Sequence, residues 1–427
     1  MFCKMGKKIK VVWICHFSDL KIRAKLKYSL FSFLGVLMFL LKKPYRNRDF
    51  SIWITNAIKE FEKKEDIDLT IIFPHYGVIR GMQEFNLGHI NYCCYKQEED
   101  RVIPFLKYHF CKGYHPTYAG SRFLVRKKIE EIKPDIVHVI GAENPCYGLA
   151  ALDIPQNIPI ILSLQTLLCG SDFEKNYPIE KKQLEYKKNV EQKLILRSDF
   201  IGTRVGLYRE IIVKEIKPDA VFLDITLAVG EDVCVDVCDN KKYDFVYFAA
   251  NISKAADDAI EAFAIALSKH PNITLNISGA YSQEYKSLLS KRIAELNISK
   301  SVFFTGPQAT HGDVLNQIKK SKFAILPLKV DMLSGTIREA MACGLPVVTT
   351  ITPYTPGLNN NRQCVLLSEK GDYQTMANNM LLLLNDERKA EELRDNALLT
   401  IQEKYSNKAF MEEWHNAYCE IYSRINR

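Results

Sequence analysis

The chain has 427 residues, of which 47% are hydrophobic and 25% are charged, with 20 Gly and 16 Pro. This length corresponds to two or three ordinary domains, and the composition excludes collagen-like, coiled-coil and intrinsically disordered proteins. The 58 Lys and Arg against 50 Asp and Glu leave a net charge of +8. Such a mild excess fits a phosphorylated substrate or an anionic membrane surface, and is too small to indicate nucleic acid by itself.

The first half of the chain alternates predicted strands and helices. The apolar run from Ile9 to Cys15 is typical of a parallel strand that is covered on both faces. Asp49 or Ser51 is expected to cap a helix that ends near Phe61. The other predicted strands lie at 69–73, 135–140, 159–164 and 199–202, and the other helices at 123–132 and 179–196.

A second alternating series follows a predicted linker at 225–242. Its strands are predicted at 245–248, 274–278, 302–305, 323–326, 346–349 and 365–367, and its helices at 255–268, 282–296, 311–319, 334–343, 373–384, 387–404 and 408–425. Such alternation indicates right-handed βαβ units and parallel sheets. The sequence therefore predicts two doubly wound, Rossmann-like α/β domains, 1–225 and 226–405, which face each other across a cleft. Ligands are expected at the carboxyl ends of the strands.

One apolar segment allows two interpretations. Tyr28 to Leu41 contains fourteen uncharged residues between basic flanks, whereas a membrane-spanning helix needs about 20. It is predicted to be either a buried core helix or a segment in the membrane interface, with residues 25–48 contacting anionic lipid. Met1 to Lys10 has no apolar core of the kind that a secretory signal requires.

Neither the cysteines nor the acidic residues form a metal-binding pattern in the sequence. The 12 cysteines include no CxxC pair, so we expect buried, reduced thiols of a cytosolic protein rather than a zinc site. The one DxD sequence, Asp66-Ile67-Asp68, is predicted in a charged turn before a strand. We therefore infer no metal.

The segment from Phe323 to Thr350 is the most informative part of the sequence. A predicted strand ends there and a helix begins at Ser334-Gly335-Thr336. Small residues at a helix start leave backbone N–H groups accessible, and the helix dipole adds positive potential, so this position favours phosphate. Glu339 lies about one turn further, where a carboxylate can accept both hydroxyls of a ribose. Gly344 is predicted to end the helix.

Two motifs resemble the retaining GT-B glycosyltransferases of family 4. Residues 339–348, EAMACGLPVV, are similar to the family's EAMACGxPVV signature, and residues 254–263, KAADDAIEAF, to its KGxDxLIEAF segment. The family places a carboxylate, usually Glu, eight positions before the signature glutamate, and Asp331 stands there. It often has Arg five residues before the lysine, and this chain has Ala249. The resemblance covers the C-terminal domain well and the N-terminal half only in architecture.

The resemblance implies roles for these residues. Lys254 is expected to neutralise the donor diphosphate as the leaving group departs, and Asp331 to contact the donor sugar. The amides of Ser334-Gly335-Thr336 are expected to bind phosphate and Glu339 the ribose. Arg338 is the candidate substitute for the missing arginine.

The N-terminal half contributes weaker candidates. Residues 134–141, PDIVHVIG, are similar to the family's PDVVHxHG segment at a strand end, which makes His138 a candidate catalytic residue, whereas the family's second histidine is Ile140 here. The alternative is a hydrogen-bonded histidine within a strand. Further candidates on the acceptor side are His16, Glu143 and Gln165.

The resemblance implies a retaining glycosyltransferase that moves a sugar from a nucleotide-diphosphate sugar to a saccharide or lipid-linked saccharide in surface polysaccharide synthesis, with no cofactor and no nucleic acid partner. We expect it in the cytoplasm, peripheral at the inner face of the membrane, with helix 408–427 packed on the first domain. The alternatives are an epimerase-type GT-B enzyme and a degenerate nucleotide-sugar-binding subunit.

Overall fold

The computed structural model describes residues 8–26, 49–75, 78, 80–97, 110–111, 115–170, 181–225, 240–249, 255–279, 281–308, 310–329 and 334–426. The apolar segment 28–41 and most of the predicted linker lie outside these residues. The described residues divide into two compact units. Those up to 225 and those from Phe410 onward form the first unit, and those from 240 to 409 form the second.

The first unit is built around an eight-stranded sheet. Its elements in chain order are β1 (Ile9–Ile14), α1 (Leu20–Lys25), α2 (Ile52–Phe61), β2 (Ile67–His75), β3 (Met82–Leu87), β4 (Ile90–Lys96), α3 (Ala119–Ile132), β5 (Ile136–Ile140), α4 (Pro145–Ala151), β6 (Ile160–Ser163), α5 (Lys181–Arg197), β7 (Phe200–Gly202), α6 (Gly206–Glu215) and β8 (Phe222–Leu223). The strand order is β3-β4-β2-β1-β5-β6-β7-β8.

Neighbouring strands of this sheet are parallel except for the β3–β4 hairpin at its edge. The hairpin turns at Gly88, whose φ of 61° provides the positive φ that a two-residue connection needs at its first position. At the start of α2, Ser51 occupies the N-cap but makes no side-chain capping bond to the described residues. Asp49 instead accepts a 2.7 Å hydrogen bond from Arg23. Ser51 therefore occupies the predicted cap position, without a side-chain capping bond to the described residues.

The second unit contains a six-stranded parallel sheet. Its elements are β9 (Tyr243–Phe248), α7 (Ala256–Lys269), β10 (Leu275–Ser278), α8 (Gln283–Glu295), β11 (Val302–Gly306), α9 (His311–Ile318), β12 (Ser321–Ile325), α10 (Gly335–Ala342), β13 (Val347–Thr350), β14 (Val365–Ser368), α11 (Tyr373–Asn385) and α12 (Glu387–Lys404), followed by α13 (Asn407–Ile425). The order β11-β10-β9-β12-β13-β14 is the 3-2-1-4-5-6 order of a doubly wound nucleotide-binding sheet. The predicted fold class, with two doubly wound sheets, is confirmed.

The final helix, α13, belongs to the first unit from Phe410 onward. Trp414 and Tyr418 of this helix are fully buried, and the Trp414 ring meets that of Trp13 edge-on at a centroid distance of 5.3 Å. The end of the chain therefore completes the core beneath β1. Among the helices of the described ranges, none has both the length and the apolar character needed to cross a bilayer.

Candidate functional site

The start of α10 forms an open, amide-lined position in the second unit. Ser334 caps the helix by accepting a hydrogen bond from the backbone of Ile337 at 3.4 Å, and its Oγ lies 2.8 Å from Thr336 Oγ1. The Ser334 side chain is buried, whereas Gly335 and Thr336 are half-buried. A Cβ added at Gly335 would meet nothing within 4 Å. The backbone here leaves room for a ligand at the positive end of the helix dipole.

The other end of α10 is fixed by a Schellman motif. Gly344, with φ 70°, donates to the carbonyl of Met341, and Leu345 donates to the carbonyl of Ala340, both at 3.0 Å. The chain then enters β13 in the interior of the sheet. The predicted helix stop at Gly344 is confirmed.

Glu339 lies beside a second helix start. Its side chain is 12% exposed, and its Oε1 lies 3.4 Å from Nε2 of His311, the first residue of α9. That helix begins with a capping box in which Thr310 and Asp313 exchange hydrogen bonds. The structure thus places an imidazole against the carboxylate that the sequence assigns to a ribose. Sequence reasoning missed His311, and the available signal was its position at the start of a helix that directly follows a strand.

A cation also lies near the point where the strand order of the second sheet reverses, between β9 and β12. Lys329, just after β12, forms an ion pair with Asp257 in the first turn of α7. Asp257 also accepts a 3.3 Å hydrogen bond from the Tyr285 hydroxyl. Ligands of doubly wound sheets bind at this switch point. Lys254 and Asp331 lie outside the described residues, so their assigned roles stay predictions.

Arg338, next to Glu339 on α10, is buried in the second unit. Its side chain is 2% exposed and is among the largest fully buried side chains of the chain. A guanidinium closed off from solvent cannot reach a solvent-borne diphosphate without rearrangement. The expectation that Arg338 replaces the missing arginine stays a prediction, and it would require the side chain to become exposed.

His138 is part of a buried hydrogen-bond chain in the first unit. Trp13 Nε1 donates to the Tyr418 hydroxyl at 2.8 Å, that hydroxyl lies 2.6 Å from His138 Nδ1, and His138 Nε2 lies 2.7 Å from Ser163 Oγ. Burial lowers the pKa of His138 to about 3, which keeps the ring neutral. Both ring nitrogens are occupied and the side chain has no exposed surface. The predicted catalytic role is therefore corrected to a structural one, the alternative that the sequence left open.

The structure brings Glu143 and Gln165 together at the carboxyl end of the first sheet. They surround Gly141, which follows β5 with φ 98°, and a Cβ at that glycine would lie closer than 3.0 Å to the polar ends of Tyr147, Gln165 and Glu143. The Tyr147 ring is tilted against that of His16 with a centroid distance of 6.3 Å. The missing Cβ therefore lets these polar groups pack closely around the glycine, in what we call the Gly141 cradle, beside the three acceptor-side candidates.

Glu143 is the most unusual side chain of this cradle. Its Oε1 accepts a hydrogen bond from the Tyr147 hydroxyl at 3.4 Å, whereas its Oε2 is buried and bonds to no atom among the described residues. Burial raises the pKa of Glu143. Buried polar atoms are nearly always hydrogen-bonded, so this unpaired oxygen makes Glu143 a candidate contact for a ligand hydroxyl.

Two doubly wound units, the second with an amide-lined helix start and a carboxylate one turn further, have the architecture of the GT-B fold. Residues 238–399 match the family model described as "Glycosyl transferases group 1". The matched residues all belong to the second unit, which is therefore similar to a group 1 glycosyltransferase domain.

Individual relatives and solved structures are similar to parts or all of the chain. Poly(ribitol-phosphate) alpha-N-acetylglucosaminyltransferase of Staphylococcus aureus (strain COL) is 28% identical over 171 residues, which make up 39% of this chain and 33% of that protein. The match thus spans about a third of that relative's length. Sucrose-phosphate synthase from Thermosynechococcus elongatus has a TM-score of 0.72 at 13% identity, covering 98% of this chain and 100% of its own. Anabaena HepE, solved with UDP and glucose, has a TM-score of 0.63 at 13% identity, covering 96% and 100%. At these identities the solved structures show the shared fold.

Proposed function

We propose that this protein transfers a sugar from a nucleotide-diphosphate sugar to a saccharide or lipid-linked saccharide, with retention at the anomeric carbon. The start of α10 carries the proposal, because it combines accessible amides with Glu339 one turn further along the same helix. In a doubly wound sheet, this is the arrangement that receives a diphosphate and its ribose.

The donor half of the proposal assigns each group by its chemistry. The amides of Gly335 and Thr336 bind the diphosphate, and Glu339 accepts hydrogen bonds from the ribose hydroxyls. His311 positions the Glu339 carboxylate from its other side. Lys254 and Asp331 keep the roles that the family resemblance implies. HepE was solved with UDP and glucose, which supports uridine diphosphate sugars as the first donors to test.

The transfer itself requires positioning and charge stabilisation. The bond between the anomeric carbon and the diphosphate oxygen breaks, and the acceptor hydroxyl forms its new bond on the same face of the ring. The proton of that hydroxyl passes to the departing diphosphate. Amides of α10 and the Lys254 side chain stabilise the developing negative charge, and we propose that no metal is needed for this step.

The acceptor half rests on the cradle around Gly141. Glu143 and Gln165 offer a carboxyl and an amide to acceptor hydroxyls, and the Staphylococcus aureus relative is named for a poly(ribitol-phosphate) acceptor. A hydroxyl-rich surface polymer or its lipid-linked precursor is therefore the proposed acceptor. A location at the inner membrane face, through residues 25–48, belongs to the same proposal.

A nucleotide screen followed by one variant pair tests the donor site. We expect a thermal-shift screen over UDP, GDP, ADP and their sugar conjugates to identify a stabilising ligand by linkage. Glu339→Ala should then weaken its binding by about 1–3 kcal/mol, the range for a lost charged hydrogen bond, which is roughly 5- to 150-fold in Kd. Glu391→Ala is the control, because Glu391 is an exposed acid on α12 of the same unit.

The outcomes separate the alternatives. Equal affinity of the Glu339→Ala variant and the wild type, by calorimetry, would count against the donor site. Binding without turnover in extracts that contain the native acceptor favours a degenerate subunit, and a change in the sugar without any acceptor favours an epimerase. For the membrane proposal, liposome co-sedimentation is compared before and after deletion of residues 28–41. Equal binding removes its support.

A further inference from the structure

A cluster of three side chains of the kinds that ligate metals lies in the first unit, away from the sites described above. Asp66 lies in the turn before β2, and His415 and Cys419 lie on α13. Each residue offers one ligand atom: a carboxylate oxygen, an imidazole nitrogen or a thiol sulfur. These three atoms lie within 4.8 Å of one another. Asp66 and His415 are 349 positions apart in the sequence, so only the fold brings them together.

The geometry is close to that of a tetrahedral zinc site. His415 and Cys419 are four residues apart on a helix, which places their side chains on one face, and Cys419 Sγ lies 3.8 Å from His415 Nε2. Zinc bonds of about 2.0 Å to nitrogen and about 2.3 Å to sulfur separate the two ligand atoms by about 3.6 Å in a tetrahedron. The nitrogen–sulfur spacing therefore already fits.

Asp66 completes three ligands with a small movement. Its Oδ2 lies 2.7 Å from His415 Nε2, whereas two zinc ligands at about 2.0–2.1 Å are about 3.4 Å apart in a tetrahedron. The two atoms need to separate by about 0.7 Å, within reach of an exposed aspartate side chain. His415 Nδ1 is buried and hydrogen-bonds to none of the described atoms, and it lies 4.0 Å from Glu412 Oε1. A ligating histidine usually donates its second N–H to such a carboxylate.

We propose that Asp66, His415 and Cys419 bind one zinc ion, with water in the fourth position. A thiolate selects Zn²⁺ over Mg²⁺ or Ca²⁺, which prefer oxygen ligands alone. On binding, the Cys419 thiol loses its proton and the hydrogen bond between Asp66 and His415 is replaced by two bonds to the metal.

The ion would have a structural role. Asp66 precedes β2 and so lies at the amino ends of the parallel strands, whereas the Gly141 cradle lies at their carboxyl ends. Zinc would tie α13 to the turn before β2 and stabilise the folded first unit by mass action. This inference does not depend on the proposed transfer reaction.

Metal titrations of the full chain test this site. After treatment with a chelator, we expect the wild type to bind one equivalent of Zn²⁺ by calorimetry and Co²⁺ with a thiolate charge-transfer band. Cys419→Ser and His415→Gln should weaken zinc binding at least tenfold, and Cys419→Ser should abolish the band. The matched controls are Cys111→Ser and His89→Gln, because both residues are exposed in the described structure.

Two further measurements keep the test independent of folding and of the donor site. Zinc should raise the Tm of the wild type and of both controls but not that of Cys419→Ser. If Cys419→Ser or His415→Gln folds poorly, Asp66→Asn provides a third variant, because Asp66 is exposed and lies outside the helix. Asp66→Asn should weaken zinc binding in the same way. The proposal is overturned if the chelator-treated wild type binds no zinc. It is also overturned if the folded Cys419→Ser variant binds zinc as tightly as the wild type. Nucleotide binding should be the same in all variants, so failure of the donor proposal leaves this result unaffected.

Discussion

Replacing Tyr418 with phenylalanine tests whether the buried chain from Trp13 to Ser163 holds the last helix in place. The Tyr418 hydroxyl accepts a hydrogen bond from Trp13 Nε1 at 2.8 Å and lies 2.6 Å from His138 Nδ1. All three side chains have no exposed surface, so water cannot replace the lost hydroxyl. The substitution leaves one buried donor and one buried acceptor without partners.

Each such group costs about 1–3 kcal/mol when it loses its partner in the interior. Because phenylalanine fills the space of the ring, the cavity term is small. The two losses share one hydroxyl and do not add fully. We therefore expect Tyr418→Phe to lower the free energy of unfolding of the first unit by about 2–5 kcal/mol.

Intrinsic fluorescence reports this unit selectively, because all three tryptophans of the chain, Trp13, Trp53 and Trp414, belong to it. Urea unfolding followed by this signal isolates the first unit in a two-unit chain that does not unfold in one step. Tyr422→Phe is the matched control. Tyr422 is buried on the same helix, and its hydroxyl makes no hydrogen bond within the described residues.

The control should change the unfolding free energy by less than about 0.5 kcal/mol, the range of substitutions away from a defined interaction. Equal destabilisation by the two variants would refute the reasoning. In that case the His138 ring would not be held by Tyr418, and its catalytic role would be open again. Nucleotide affinity should be unchanged in both variants, because the donor site belongs to the second unit.

Three further predictions follow from single positions. Burial raises the pKa of Glu191 to about 7, above its ordinary 4.5, so its contribution to stability is complete below pH 4.5 and is lost as the pH rises through 7. Glu191→Gln should remove a slope of up to about 1.4 kcal/mol per pH unit from the fluorescence-detected stability; an unchanged slope contradicts this. Gly344→Ala should cost about 1–2 kcal/mol in calorimetry of the second unit, because φ is 70° while the nearest Arg394 atom leaves space at 3.7 Å; no change in Tm contradicts it. Gly141→Ala should raise the acceptor KM or abolish transfer with donor affinity unchanged, because its Cβ would crowd Glu143; full transfer activity contradicts the cradle.

The helices and strands of the second unit could be predicted from the sequence nearly to the residue. The prediction of a helix over 387–404 matches α12 because an aspartate cap at 386 and a regular apolar period mark it. In the first unit, the hairpin of β3 and β4 was missed. β3 reads MQEFNL and lies at the sheet edge with polar side chains, so it lacks the apolar pattern of a central strand. Gly88 with His89 was the only local signal of the turn.

Side-chain partners could not be predicted, because they depend on residues far apart in the sequence. The segment around His138 was correctly predicted to be a strand, but Tyr418, which fixes the ring, is 280 positions away. His311 was missed for the same reason: its relation to Glu339 exists only because the starts of α9 and α10 lie side by side. Spacing along one helix or strand is local physics, whereas these contacts follow from the topology of the sheets.

The two sheets share their strand order up to the switch point, and this permits a comparison of equivalent positions. β5 beside β1 corresponds to β12 beside β9. The segment after β12 carries Lys329 and leads to the amide-lined start of α10, which suits an anion. The segment after β5 carries Gly141 and then Glu143 with its raised pKa, which suits uncharged hydroxyls. The same topology thus carries a cation after one strand and a buried carboxyl after the equivalent strand, which fits the proposed transfer from a diphosphate donor to an acceptor hydroxyl.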